Sequence, residues 1–247
     1  MKTLFILFLC TSVYSFAQPE KQDVKFKRFA IGVNASPDFN YRTLHNIEKK
    51  PEQDWNKHKD QMNQMFAPRL GFSAGGHVLY YLTRDMYIET GAQYSFKGYQ
   101  RRPALGVMFM GGNPEPAFKG DMKDHYNFNF LDVPLTMNYV ILKDKRLQLV
   151  ASIGLVWNHM RHSSIKHFNR ETVNNQFVPV LIFHTPYRDN TFSGTVGFGI
   201  QYQVNDWVFL RAVPTFRHSF IPIETNLAES AYYWNAGLNV SCSFKLF

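Results

Sequence analysis

Sulfur chemistry is nearly absent from this sequence. Its two cysteines are Cys10 and Cys242, and Cys10 falls in a stretch that reads as a cleaved leader. The processed chain then keeps Cys242 alone and forms no internal disulfide. Cys242 sits in an apolar row, where a small inert hydrophobe is expected and a reactive thiolate is not. After the leader no run reaches the roughly 18 uncharged apolar residues of a spanning helix. No glycine-rich loop opens a helix: Gly111 and Gly112 lie in a Pro-rich connection, and Gly71, Gly75 and Gly76 sit inside a strand. The basic excess forms no single tract, which leaves nucleic acid without a footprint.

What is present begins with a compartment signal. Lys2 precedes an apolar run from Leu4 to Leu9, and Ser15-Phe16-Ala17 before Gln18 offers small residues where a signal peptidase cuts. Residues 1–17 are therefore expected to be a signal peptide and 18–247 the single domain, beginning with a short polar periplasmic lead from Gln18 to Lys27. Leu9 before Cys10 is too large for lipoprotein processing. Removing Lys2 leaves 26 of the 27 basic residues against 19 acidic ones, net +7, an excess that suits acidic partners such as headgroup phosphates or sugar acids.

The end of the chain carries the strongest pattern. Tyr232, Trp234, Ala236, Leu238, Val240, Cys242, Phe244 and Leu246 form an apolar row, and the residues between them are nearly all polar. A period of two means a strand. Its two faces suit either a sheet of a soluble sandwich or a barrel wall with lipid outside and polar groups within.

Seven more such segments precede it. Phe29–Ala35 is closed by Pro37 and Asp38, and a solvated loop follows from Phe39 to Ala67, with at most a turn of helix at Asp54–Lys59. Leu70–Leu82 and Ile88–Phe96 make a hairpin through Thr83-Arg84-Asp85. Gly98–His125 reads as a long connection to a strand with Leu131, Val133, Leu135, Met137, Tyr139 and Ile141 outward. Tyr126, Phe128 and Phe130 fall in the other phase, which predicts a bulge or a change of environment near Phe130. Leu147–Trp157 follows at once, then a third long connection from His159 to Asn190, within which Val178–Phe183 prolongs the hairpin or adds strands to make ten. Phe192–Tyr202 and Val208–Phe216 form the last hairpin, and His218–Ala231 the last loop.

Long and short connections alternate strictly. A sandwich has no reason to sort them, whereas an outer-membrane barrel has short periplasmic turns and long external loops. The expectation is an all-β fold, an eight-stranded antiparallel up-and-down transmembrane β-barrel with both termini in the periplasm. By alternation Arg28, His77, Glu89, Gln93, Lys97, Asp132, Asn138, Gln201, Arg211, Arg217 and Lys245 point inward. Both signs are present in a barrel narrow enough for side chains to fill, so an internal plug is expected, with Glu89 and Asp132 as the acids partnering Arg211 or its neighbours. Tyr80, Tyr94, Trp157, Tyr202, Phe216, Tyr232 and Trp234 fit interfacial aromatic girdles.

Three phrases carry a family resemblance: Ile31-Gly32-Val33-Asn34-Ala35-Ser36-Pro37-Asp38, Ile88-Glu89-Thr90-Gly91-Ala92-Gln93-Tyr94-Ser95 with Lys97-Gly98-Tyr99, and Leu131-Asp132-Val133-Pro134-Leu135. With the leader ending at Ala17-Gln18, they resemble the PorT-like outer-membrane β-barrel family of Bacteroidota. The resemblance implies an eight-stranded barrel and an outer-membrane address, and no reaction or ligand. Phe247 departs from the usual ending, since it falls in the inward phase.

The functional expectation is an integral outer-membrane barrel without evident catalysis, structural or binding through its external loops. No catalytic, cofactor-binding or metal residue is assigned and no cofactor is expected. The expected partners are outer-membrane lipid and lipopolysaccharide, the barrel-assembly machinery during insertion, and an unidentified extracellular ligand; nucleic acid is not among them, and the state is a monomer. One alternative is a rim-active hydrolase or lipid A-modifying enzyme. His159, Arg161, His162, Ser163, Ser164 and His167 crowd the third loop, His184 and His218 lie on neighbouring ones, and the nearest acid in that stretch is Glu171. The same histidines match no ordinary metal spacing. A second alternative is a secreted soluble lipid-binding barrel.

Overall fold

The structure, a computed structural model, describes residues 27–46, 51–108, 118–143, 146–170, 177–183, 187–225 and 229–246. The leader, most of the lead after it, Gly111-Gly112, Glu171, His184 and Phe247 lie outside the described residues. The elements are β1 (Phe29–Asn46), α1 (Glu52–Met65), β2 (Phe66–Tyr81), β3 (Met86–Arg101), β4 (Ala104–Met108), β5 (Phe118–Lys143), β6 (Leu147–Arg170), β7 (Phe177–Phe183), β8 (Asn190–Gln203), β9 (Val208–Ser219), β10 (Glu224–Thr225) and β11 (Glu229–Lys245).

Eight of these strands close into a ring in the order β1-β2-β3-β5-β6-β8-β9-β11, every neighbour antiparallel, with β1 against β11 joining the two ends of the chain. Alternation decides which face is which. Val33, Leu70, Leu135, Ile153, Phe198 and Val240 are exposed on the outer wall, while the residues between them are buried inside. This arrangement excludes the soluble barrel, whose greasy face would be packed inward.

Two of the short turns are built from local hydrogen bonds. Thr83 Oγ1 accepts from the backbone N–H of Asp85 and Met86 at 3.2 and 3.0 Å, and Asn205 Oδ1 accepts from Trp207 and Val208 at 2.9 and 2.8 Å. Prolines inside the wall each leave a mark. Ser36-Pro37 has no partner on β11, Val133-Pro134 none on β3, and Val213-Pro214 none on β8. A proline brings no N–H to the ladder, so these gaps are expected. Pro68 adjoins a register shift against β3.

At the long-loop end the structure differs from the sequence expectation. Pro37 does not end β1, which runs on to Asn46. The region read as a solvated loop holds a helix of 14 residues, α1, with Glu52 and Asp54 in its first turn complementing the helix dipole. Trp55 and Met62, seven residues apart and so on one face, pack it against the barrel mouth. The connections 98–125 and 159–190 are largely strand: β5 and β6 stay paired from Met122–Asn169 down to Lys143–Gln148. β4 adds to β5 and β7 to β6, giving a four-stranded sheet above the rim. β7 therefore prolongs a hairpin and adds no wall strand. A hydropathy period is written where one face meets lipid; above the membrane neither face does, and the period is lost.

The anomaly near Phe130 is real. The β5–β6 register slips between Asn129 and Phe130, and the extra residue is Arg161 on β6. β5 itself keeps one phase from Asp124 to Val140, so Phe128, Phe130 and Asp132 are all interior.

Candidate functional site

The barrel interior is filled in three layers. Toward the long-loop end, Leu44, Phe66, Tyr99, Phe128, Met160 and Tyr233 belong to one apolar cluster, with Tyr126 and Tyr187 packed against it. Tyr99 stacks on Tyr126 at 4.6 Å, and the Arg42 guanidinium lies over the Phe66 and Tyr99 rings at 4.2 and 5.0 Å. At the short-turn end Ala30, Leu79, Tyr81, Tyr87, Val150 and Phe209 form a second apolar layer.

Between them lies the charged layer. Asp132, fully buried, accepts from Lys97 Nζ, Ser95 Oγ and Asn158 Nδ2, each at 2.7 Å, and Arg217 Nη1 stands 3.6 Å away. Glu89 pairs with Arg211 at 2.6 Å, and Arg211 also donates to the Tyr87 hydroxyl at 3.1 Å. Asp38 accepts from Ser36 and Ser73 at 2.6 and 3.1 Å. It fits only because its neighbour on β11 is Gly237, where a Cβ would overlap its carboxylate. Here the sequence reading holds: His77, Glu89, Gln93, Lys97, Asp132, Asn138, Gln201, Arg211 and Arg217 are interior, with Glu89 and Asp132 in the expected roles. Lys245 is part-buried over the Tyr81 and Phe209 rings. Arg28 is the exception. It lies before the first residue of β1 and is exposed, reaching the Tyr80 hydroxyl at 3.4 Å.

Among the described residues little space is left in the charged layer. A cavity of about 40 Å³ touches Glu89, Arg211, Arg217 and Asn239, and another of about 10 Å³ lies beside Lys97 and Tyr233. The larger holds a few waters at most. A charged layer sealed above and below by buried rings is a plug.

The histidine-rich segment does not assemble. His159 to His167 is spread along β6, a rise of about 3.3 Å per residue. His159 meets Asn190 Oδ1 at 3.0 Å, while His162 is exposed and stands opposite Asn129. His218 is on β9, stacked beside Tyr232. Sequence reasoning missed one acid: Asp124, directly opposite His167, bonds its Nδ1 at 2.7 Å with Arg101 at 3.5 Å. Ser163 is opposite Phe128 and four residues from His167, about 13 Å along the strand. At that separation Ser163 and His167 are not in contact. Among the described residues no three His, Cys, Asp or Glu side chains gather as a metal site. Beside this pair, burial together with the Arg69 and Lys123 charges pulls the His125 pKa down to about 4.

A closed eight-stranded wall, apolar outside and ionic within, is the arrangement of a membrane barrel, and the family profile for the outer membrane protein beta-barrel domain matches residues 16–223. The chain belongs to this family. It is an outer-membrane barrel, located in that membrane. Among solved structures this barrel is similar to OprG of Pseudomonas aeruginosa (9% identity, 91% of this chain and 100% of that one, TM-score 0.43). It is also similar to the Neisserial surface protein A (12% identity, 88% and 97%, TM-score 0.40). A third is Ail of Yersinia pestis, solved with the heparin analogue sucrose octasulfate (9% identity, 88% and 99%, TM-score 0.36). No curated protein matches the sequence of this outer-membrane barrel.

Proposed function

We propose that the protein is a PorT-like barrel of the Bacteroidota outer membrane, a monomer that acts without catalysis, as a sealed stave presenting its external elements to a binding partner. The observation that carries this is the three-layered interior, which leaves the outer surface as the place for function. Each of the three phrases shared with that family contributes one buried acid to the charged layer: Asp38, Glu89 and Asp132. What projects outward is the sheet β4-β5-β6-β7 with α1 beside it, elements large enough to engage a ligand. The test is conductance in planar bilayers together with deletion of the sheet. A sealed barrel gives no stable single-channel step, and removing residues 102–123 and 161–187 leaves a folded barrel that has lost cell-surface binding. A large, stable step from the intact protein refutes the proposal.

A hydrolase at the rim is the second reading, favoured by the Asp124–His167 pair. It requires that His167→Ala abolish an esterase or lipid A deacylase activity of the purified barrel; the geometry of Ser163 supports the non-catalytic reading instead.

A further inference from the structure

The outer wall is not evenly bulky. A groove of about 650 Å³ crosses it, lined by Ile88, Met137, Ile153, Val196, Phe216 and neighbours from the next row, Leu135, Leu155, Gly194 and His218. These residues are strand partners. Ile88 pairs with Met137, Met137 with Ile153, Ile153 with Val196, and Val196 with Phe216. The groove therefore follows a single hydrogen-bonding row over five strands, a length of about 19 Å at roughly 4.8 Å per strand.

Its direction is fixed by the same register. Ile88 is two residues above the foot of β3, which begins at Met86, whereas Phe216 is eight above Val208, the foot of β9. The groove thus climbs from the periplasmic foot toward the outer rim, where it ends under His218 and Phe220. Gly194 shapes that end: a Cβ there would strike the tip of the Phe220 ring, which a bare glycine lets approach the wall. One leaflet's hydrocarbon is about 15 Å deep, so a single acyl chain hanging from the outer rim follows the upper part of the groove, past Phe216 and Val196.

The wall lies in lipid, and the polar end of the groove faces outward. Farther up β6 the outward side carries His159, then Arg161 and His162 at the bulge, donors suited to phosphate at headgroup level. We propose that this groove holds one acyl chain of lipopolysaccharide from the outer leaflet, with His218 at its headgroup end. The chain hangs from the outer rim and fills the upper part of a depression that straight annular lipid leaves open. The inference rests on the membrane barrel alone and stands whether or not the PorT-like reading does.

The full barrel, purified in detergent and examined by native mass spectrometry, tests it with lipid A in one arm and phosphatidylethanolamine in the other. The expected result is one retained lipid A per barrel and no comparable retention of phosphatidylethanolamine. Val196→Trp fills the middle of the groove and is expected to weaken retention about tenfold, which is about 1.4 kcal/mol. Leu155→Trp does the same by a second route should the first variant fail to fold. Val33→Trp, outward on β1 and away from the groove, leaves retention unchanged. Heat-modifiable migration verifies folding of each. Equal retention of the two lipids, full retention by a folded groove-filled variant, or a dimer that the tryptophan abolishes would each overturn the proposal.

Discussion

Removing the carboxylate of Glu89 strands a buried cation. Glu89 and Arg211 are each 5% exposed, and the 2.6 Å contact between them is the only ion pair of the Arg211 guanidinium among the described residues. Asn138 and the Tyr87 hydroxyl stay in place as neutral partners. Glu89→Leu therefore leaves the guanidinium with one hydroxyl and one amide in place of a counter-charge. Breaking one side of such a pair costs about 3–5 kcal/mol, or two to four powers of ten in the unfolding equilibrium. Glu89→Leu combined with Arg211→Met removes both charges and fills the space with apolar groups, so the double variant is expected within about 1 kcal/mol of the parent. The assay is reversible urea unfolding in lipid vesicles, followed by tryptophan emission and by the shift between folded and unfolded bands on a gel. Additive losses in the double variant, or a single-variant loss below about 1 kcal/mol, would refute the claim that this pair acts as a unit inside the barrel.

Three further outcomes follow from the same interior and mouth. Phe128→Ala empties the centre of the outer aromatic cluster, where Phe128 is fully buried, and is expected to cost about 3–5 kcal/mol by urea unfolding. Gly237→Ala drives a methyl into the Asp38 carboxylate and is expected to lose about 1–3 kcal/mol, whereas Ala236→Ser on the outward face does not produce that collision. His125 has a folded pKa lowered from 6.5 to about 4. Its neutral form is the one the folded sheet accommodates, so the stability it contributes is complete above pH 6.5 and is lost as pH falls from there toward 4. Hydrogen exchange in β5 and β6 should quicken across that window relative to His125→Phe, and an NMR titration of His125 with a midpoint at or above 6.5 would count against this.

The barrel was legible because lipid imposes a period of two. Leu70, Leu135, Ile153 and Val240 face hydrocarbon, and nothing polar can replace them, so the wall strands and their inward residues were readable one by one. The same period identified Glu89, Asp132, Arg211 and Arg217 as interior before any contact was known. Asp38 was hidden because Pro37 read as a stop, and a proline in a wall strand shows only as a gap in the ladder. Asp124 was hidden because residues 98–125 carry no apolar alternation, yet carrying the β5–β6 register past the bulge at Arg161 would have placed it opposite His167. The α1 helix lacked a signal for a different reason. It buries no residue fully, and its apolar packing on the barrel rests on Trp55 and Met62, so no apolar stripe marks it.

The ring is completed by its first and last strands, β1 against β11, from Ala30–Lys245 up to Asn46–Glu229. Every other wall contact joins strands nearer in sequence, so this one carries the largest loop-closure entropy and is the last to be rewarded during assembly. The gap left by Pro37 falls in this same pairing. An incomplete barrel consequently has two free edges, each able to bond to a foreign strand until the C-terminal segment arrives. A chain lacking β11 should accumulate as edge-to-edge aggregates, while one lacking only the helix and the tall sheet should still close.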